Sequence, residues 1–550
     1  MEGSNARSFV VKNVFVPRAL LQEEWQERGN TECVRRDVHF EEGGAIVAVD
    51  EPSDLSATTG DSALTVIDGT NKLLLPGFLN GHTHSGEMYN RGSIPPLPLE
   101  LWLGYLYDYG PQDPNHYYLA ALLTAVEGLM TGVTCVLDMP SVLGVPGKEF
   151  ECLEAICRAY RDVGVRAFVC PLLGDLPFDA TVAHGCGHGC SPYAGTDKHD
   201  PHKTDFIMAF MEQAVEKLHR PEEGIEIGVG PSGVQTCSDE LYTRCRELSE
   251  KHGLVRHTHL LETVNQKKVR PLFYGDNEHN DDDDDDDDDD AGCDDGDTDA
   301  CLDGVQLAYE KYGCSAVDHL KKLGFFNEKT TCAHSIWLDD NDIEQLQTTG
   351  ATPVHNPLSN LRLGSGIAPV LKYLDARINV CFGCDGAASN DSQDMLEAIK
   401  MGSILHNITD FDYNRWITPD QAFRMAAMGG ARAVGLQDQT GLVQVGRSAD
   451  LVLYDLASSL SILPRTDILG LLLLGRPNNL VTDVWVRGRR VFKEGKVAGV
   501  DEEKLKRDLF ATSEWTTMPR ASATRSSVEQ RYRQVIVDKQ PPSSSNHSTP

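Results

Sequence analysis

The chain is 550 residues long, 40% hydrophobic and 24% charged, with a net charge of −33. That is enough apolar side chain for one large core, and an acidic body with no basic stripe argues against nucleic acid or an anionic membrane as partner. The charge is concentrated: Asp276 to Asp303 holds seventeen acidic residues and no lysine or arginine, which leaves −16 for the rest. Such a run cannot bury a core and is predicted to be a solvated, disordered insertion over 276–303; it also lacks the glycine turn and spaced ligands of an ordered calcium loop. The 15 cysteines lie singly in apolar runs, as in a reduced compartment. No stretch of 18 apolar residues occurs, and Met1-Glu-Gly-Ser-Asn-Ala-Arg7 has no signal-peptide pattern, so the expectation is a cytoplasmic chain.

In chain order, Phe9 to Val16 and Ala45 to Ile67 alternate like half-buried strands. Strand patterns then recur at Leu73–Leu79, Val133–Asp138, Val165–Cys170, Ile225–Gly230, Leu254–His259, Thr330–His334, Thr352–His355 and Ile378–Gly383. Helical patterns lie between them at Tyr117–Met130, Glu149–Asp162, Asp205–Leu218, Asp239–Lys251, Val305–Leu323 and Gln393–Leu405. Eight strands alternating with helices predict an α/β protein, a (β/α)8 TIM-like barrel whose chemistry sits at the C-terminal ends of its strands. Asp450–Tyr454 and Val481–Phe492 return to the alternating pattern, and the Ser-, Arg- and Pro-rich tail 520–550 reads as disordered. His184-Gly-Cys-Gly-His188-Gly-Cys190 alternates His and Cys, but its glycines favour an ordinary loop over a zinc site.

The most informative segment is Leu75-Pro76-Gly77-Phe78-Leu79-Asn80-Gly81-His82-Thr83-His84. Side chains two apart on a strand point the same way, so His82 and His84 can offer two imidazoles to one metal ion. Later apolar runs end in His259 with Glu262 three residues on, in His334, in His355 with Ser359 and Asn360, and in Asp385. Singly each histidine has a structural reading; together, at successive strand ends, they form a site.

The order of these segments resembles the amidohydrolase superfamily, in the branch of cytosine, guanine and methylthioadenosine/S-adenosylhomocysteine deaminases and triazine hydrolases. The matching stretches are PGFLNGHTH (76–84), HLLET (259–263), AHSIWL (333–338), HNPLSNLRLGSGIAPV (355–370) and GCDGAASN (383–390), with a C-terminal signature around Gly441–Gly446, Asp450 and Val484. The resemblance implies a composite β-sandwich from 8–70 and 440–500 around a hydrolase barrel at 71–439. It implies metal ligands His82, His84, His259 and Asp385, with His334 beside the metal or binding it weakly. Binuclear relatives bridge their metals with a lysine after the fourth strand; Gly224 to Gly233 contains none, so one divalent ion is expected, zinc on ligand chemistry, with iron accepting the same donors.

The reaction this implies is hydrolytic displacement of an amino group from an aminated heterocycle. Asp385 accepts the proton of the attacking water, His334 steers it, and Glu262 carries a proton to the ring nitrogen and leaving amine. Candidate substrate contacts are Arg91 for a carbonyl or carboxylate, Trp102 for stacking, and His257, Ser359 and Asn360. Nucleoside-type members carry an acid directly before the tryptophan, where this chain has Leu101, which favours a free or alkylated heterocycle over a nucleoside. A cyclic amide hydrolase would use the same site; an inactive assembly-forming relative would have lost ligands, and none is missing. The partners expected are a small heterocyclic substrate and further copies of the chain.

Overall fold

The computed structural model describes residues 8–25, 27–54, 64–106, 113–176, 199–267, 312–475, 477–511 and 529. The acidic insertion at 276–303, the His184–Cys190 stretch and the tail 520–550, apart from residue 529, lie outside the described residues. Residues from both ends of the chain share one sheet. Its N-terminal strands are β1 (Ser8–Pro17), β2 (Cys33–Glu41), β3 (Ile46–Asp50), β4 (Leu64–Asp68) and β5 (Lys72–Pro76). The sequence patterns did not reveal β2, because Arg35, Arg36, Asp37 and His39 mask its alternation; it pairs antiparallel with β1 along nearly its whole length.

The central strands are β6 (Phe78–Thr83), β7 (Val133–Asp138), β8 (Arg166–Val169), β9 (Leu172–Leu173), β10 (Ile225–Ile227), β11 (Gly230–Pro231), β12 (Arg256–Leu260), β13 (Thr330–His334), β14 (Thr352–His355) and β15 (Cys381–Phe382). C-terminal to them come β16 (Leu451–Asp455), β17 (Val481–Val486), β18 (Arg489–Lys493) and β19 (Lys496–Val497). The flank pairs as one nine-stranded sheet in the order β19-β18-β17-β16-β5-β1-β2-β3, with β4 beside β1, rather than as two separately paired sheets. Phe9, Phe40 and Trp485 form its buried centre, with Phe40 and Trp485 edge to face at 5.3 Å.

The expected first barrel strand, Leu73–Leu79, is two strands. Gly77 N donates to Asp450 O and Phe78 N to Gly132 O, so the chain leaves the flank sheet and enters the central strands within two residues. The apolar run gives no sign of this switch because both strands are buried.

The central strands pair in parallel as β10-β8-β7-β6, β11-β9 and β12-β13-β14-β15. A continuous closed ladder, expected from the sequence, is not formed. Gly228, Gly230 and Pro231 cut the fourth run short, and Gly383 ends β15 after two residues. The sheets are joined at one seam by an isolated parallel bridge between Val229 and Arg256 with His259 N donating to Ser232 O, and at a second by a hydrogen bond from Asp385 N to His82 O at 2.8 Å. Gly81 permits the second, since a Cβ there would come within 2.7 Å of Cys381 Sγ.

Helices follow the strands with ends written in the sequence. Pro114–Met130 starts on a capping box at Asp113, and Asp239–His252 starts on Ser238 and stops at Gly253 in the left-handed region. Such caps contribute about 1 kcal/mol each. Of the pattern at Val305–Leu323, residues 305–311 lie outside the described residues; Ala316–Lys322 is helical, capped by Ser315 after Gly313 turns with φ 66°. Among the described residues no helix is long and apolar enough to cross a membrane, and the described cysteines are unpaired.

Candidate metal centre

Four strand ends meet at one point. β6 delivers His82 and, one residue beyond its end, His84; β12 delivers His259, β13 His334, and the turn after β15 Asp385. His334 and Asp385 take φ of 67° and 64°, left-handed values unusual for residues with a Cβ, where the chain turns sharply out of its strand. Asp385 Oδ1 accepts from Gly386 N at 2.8 Å, which orients the carboxylate.

The hydrogen bonds decide which ring nitrogen faces inward. His84 Nδ1 lies 2.7 Å from Met139 O and His259 Nδ1 2.7 Å from Ser232 O. A carbonyl only accepts, so both Nδ1 atoms carry protons and both Nε2 atoms are bare. His334 Nδ1 donates in the same way to Asn360 Oδ1 at 2.8 Å. For His82 the chain of reasoning is one step longer. Thr331 Oγ1 donates to Arg256 O and therefore accepts from His257 Nδ1 at 2.6 Å; His257 Nε2 then accepts from His82 Nδ1 at 2.7 Å. In the neutral ring, the form a metal ion binds, all four inward Nε2 atoms present lone pairs.

Those lone pairs face each other and a carboxylate. His259 Nε2 is 3.3 Å from His84 Nε2, and Asp385 Oδ1 is 3.2 Å from His82 Nε2 and 3.5 Å from His84 Nε2. His82 Nε2 is buried with no hydrogen-bond partner. Acceptors crowded in this way repel unless a cation lies among them, so the donor set fits a divalent metal. The ligand atoms of His82, His259 and His334, and those of His82, His84 and Asp385, each fall within 4.8 Å of one another.

Burial favours the neutral imidazoles this requires at His82, His259 and His334, whereas at His84 it is outweighed by Glu87 and Asp385, which raise that ring above the ordinary histidine value. Burial pushes His82 down to about 4 against the pull of Asp385, and holds His257 and His259 well below the ordinary histidine value. Burial alone would raise Asp385, but His82, His334 and His84 outweigh it and keep the carboxylate ionised. Glu262 is the opposite case. Burial, then Asp385, Glu100 and Glu87, push it well above the ordinary carboxylic-acid value, and its Oε2 lies 3.7 Å from His334 Nε2. A neutral acid beside a metal-type donor set can give a proton to a substrate.

The site opens into a cavity of about 330 Å³ bordered by His84, His259, Glu262, His334 and Asp385, with Trp102, Leu103, Leu106 and Tyr117 as apolar wall. Of the predicted substrate contacts, Trp102 borders the cavity, its Nε1 tied to Ala388 O at 3.3 Å. Four others do not. Arg91 turns away to Glu127 and Met88 Sδ, because its backbone leaves the helical turn Ser85–Asn90 on the outer side. His257 lies beneath His82, and Asn360 behind His334; both orient a ring. Ser359 is fully buried in the helix Pro357–Arg362, its Oγ unpartnered.

Sequence reasoning missed Glu87, which borders the cavity and is pushed up to about 7 by burial, against His84. It missed Glu100, buried and receiving Thr263 Oγ1 at 2.7 Å. It also missed Asp138, which takes Ser85 N at 2.9 Å, Ser85 Oγ at 2.6 Å and Tyr160 OH at 2.9 Å and so holds the turn after His84. Asp138 closes a predicted strand, a signal that could have marked it.

Similarity to known proteins follows the same segments. The chain is 28% identical over 474 residues to a 5'-deoxyadenosine deaminase of Methanosarcina barkeri, covering 86% of this chain and 93% of that one. It is 27% identical to a 5-methylthioadenosine/S-adenosylhomocysteine deaminase of Pyrococcus abyssi, covering 87% and 96%. Its fold is similar to that of a zinc-bound adenosine deaminase from Xanthomonas campestris, with a TM-score of 0.71, 23% identity and coverage of 95% and 99%. It is similar also to a zinc complex of atrazine chlorohydrolase from Arthrobacter aurescens TC1, with a TM-score of 0.72, 21% identity and coverage of 92% and 100%. The Amidohydrolase family profile matches residues 73–496, the span that carries every strand of the site, and the chain accordingly belongs to the amidohydrolase family and is a hydrolase of carbon–nitrogen bonds.

Proposed function

We propose that this chain deaminates an aminated heterocycle hydrolytically, with an adenine-type ring as the first substrate to test. The observation that carries the reading is the convergence of bare imidazole nitrogens and an ionised Asp385 beside a neutral Glu262. His82, His84, His259 and Asp385 would hold one divalent ion, zinc first and iron with the same donors. When bound, such an ion supplies Lewis acidity and brings the pKa of water towards ~7.

The remaining work falls to the side chains. Asp385 takes the proton of the attacking water. His334, its Nδ1 held by Asn360, points Nε2 at the growing negative charge at the attacked carbon. Glu262 gives its proton to the ring nitrogen and recovers one for the departing amine. Trp102 packs against the flat ring, and the apolar wall keeps bulk water away. The two relatives are named for nucleosides, which runs against the preference for a free heterocycle drawn from Leu101; buried Glu100, one position earlier, supplies an acid in that segment after all.

The architecture that goes with this reading is an eight-stranded barrel that begins at Phe78 and runs to 439, joined at Val229–Arg256 and at Asp385–His82, with both chain ends, Lys72–Pro76 included, building the flank sheet beside it. The test of function is ammonia release from aminopurine nucleosides, aminopurines, aminopyrimidines and aminotriazines by the metal-loaded protein. Ring opening without ammonia would replace deamination with cyclic amide hydrolysis.

A further inference from the structure

Three acidic side chains, Glu87, Glu262 and Asp385, border the cavity, and among the described residues no lysine or arginine does. The basic residues next in sequence to the lining are all committed elsewhere. Arg91, after Asn90, is held by Glu127; Lys267, after Gln266, by Asp339 at 3.2 Å; Arg362, before Leu363, by Asp391 at 2.5 Å and Ile94 O at 2.8 Å. The protein as a whole carries −33, so its long-range field opposes an approaching anion as well.

Glu87 is the one carboxylate of the three that the proposed chemistry leaves unused. Its Oε2 is buried without a hydrogen-bond partner and sits over Gly386, where any Cβ would collide with it. A carboxyl group so placed offers lone pairs to a substrate N–H, O–H or ammonium. A phosphate or carboxylate brought to the same wall loses its water and finds no lysine or arginine among the described lining residues to pair with.

We propose that this cavity selects heterocycles whose substituents are neutral or cationic and carry N–H or O–H donors, that it rejects phosphate- and carboxylate-bearing analogues, and that Glu87 sets the preference. The proposal rests on the aminohydrolase reading and adds its substrate class.

The test uses pairs that differ by one anionic group: adenosine and its 5'-phosphate, adenosine and adenosine-5'-carboxylate, cytosine and its 5-carboxylate. For each pair, kcat/KM for ammonia release and ligand affinity by tryptophan fluorescence are measured on the metal-loaded protein. The neutral member should lead by roughly 100-fold in kcat/KM for any ring turned over, and in affinity for any ring merely bound. Glu87→Gln, which keeps shape and removes charge, should narrow that ratio at least fivefold; Glu87→Asn gives the same readout should Gln not fold. Members of a pair within threefold of each other, or no binding of any member, would overturn the proposal. An unchanged ratio in the variant would remove Glu87 from it. Preferential binding of neutral members with no ammonia from any ring would sink the aminohydrolase reading and leave the charge selection standing.

Discussion

His257 Nε2 lies 2.7 Å from His82 Nδ1, so a buried imidazole outside the lining of the candidate site decides which nitrogen of His82 faces that site. Its other nitrogen is pinned by Thr331 Oγ1 at 2.6 Å. Supports of this kind usually matter for metal affinity more than for substrate binding. His257→Phe is expected to weaken divalent-ion binding by roughly 10- to 100-fold in chelator competition, while substrate KM at saturating metal changes little. Full retention of the ion would break the assignment, and two tightly held ions in the parent protein would overturn the single-metal reading.

Glu262→Gln keeps the size of the side chain but has no proton to give. Turnover is expected to fall by roughly 10² or more with metal content intact, whereas His259→Ala should lose the metal itself. Equal turnover in Glu262→Gln would end its role as proton carrier.

Arg91 and Trp102 should separate cleanly. Trp102→Ala is expected to raise KM about tenfold, because the indole forms part of the cavity wall. Arg91→Ala should leave KM within about twofold and cost no more than about 1 kcal/mol in denaturant unfolding, since its ion pair with Glu127 is partly exposed. A large rise in KM for Arg91→Ala would place that side chain back in the binding site.

Two buried histidines outside the cavity predict acid sensitivity. The rings of His355 and His406 lie 5.4 Å apart, tilted by 41°; burial holds His355 well below the ordinary 6.5 and His406 down to about 4. The unfolded chain binds protons on these rings from ~6.5 downward and the folded chain does not, so their contribution to stability is lost as pH falls through that window and is constant above it. His406→Leu should shrink the stability difference between pH 7 and pH 5 by roughly 2 kcal/mol in urea unfolding. Parallel curves for the two proteins would refute this.

The sequence by itself determined the elements whose information is local. The i, i+2 spacing of His82 and His84, the strand at Thr330–His334, the helix start at Asp239 and the acid three residues past His259 all rest on patterns within a few residues, and the structure has each where the pattern put it. The family match over 73–496 agrees with the resemblance read from those motifs.

Only the tertiary structure decided what depends on the direction of a side chain and on neighbours far along the chain. His257 and His259 stand two apart on one strand and so share a face, yet the first supports His82 from beneath and the second borders the cavity. Arg91 looked like a substrate ligand and is turned to Glu127, while Glu87, four residues earlier, is the one that reaches the cavity. The break of Leu73–Leu79 into two strands was hidden because both halves are buried and equally apolar; a hydrogen bond to Asp450, hundreds of residues away, sets it. Burial supplies the remaining step: it holds the His259 imidazole neutral at pH values where one in water would take a proton, and it keeps neutral a Glu262 that water would ionise.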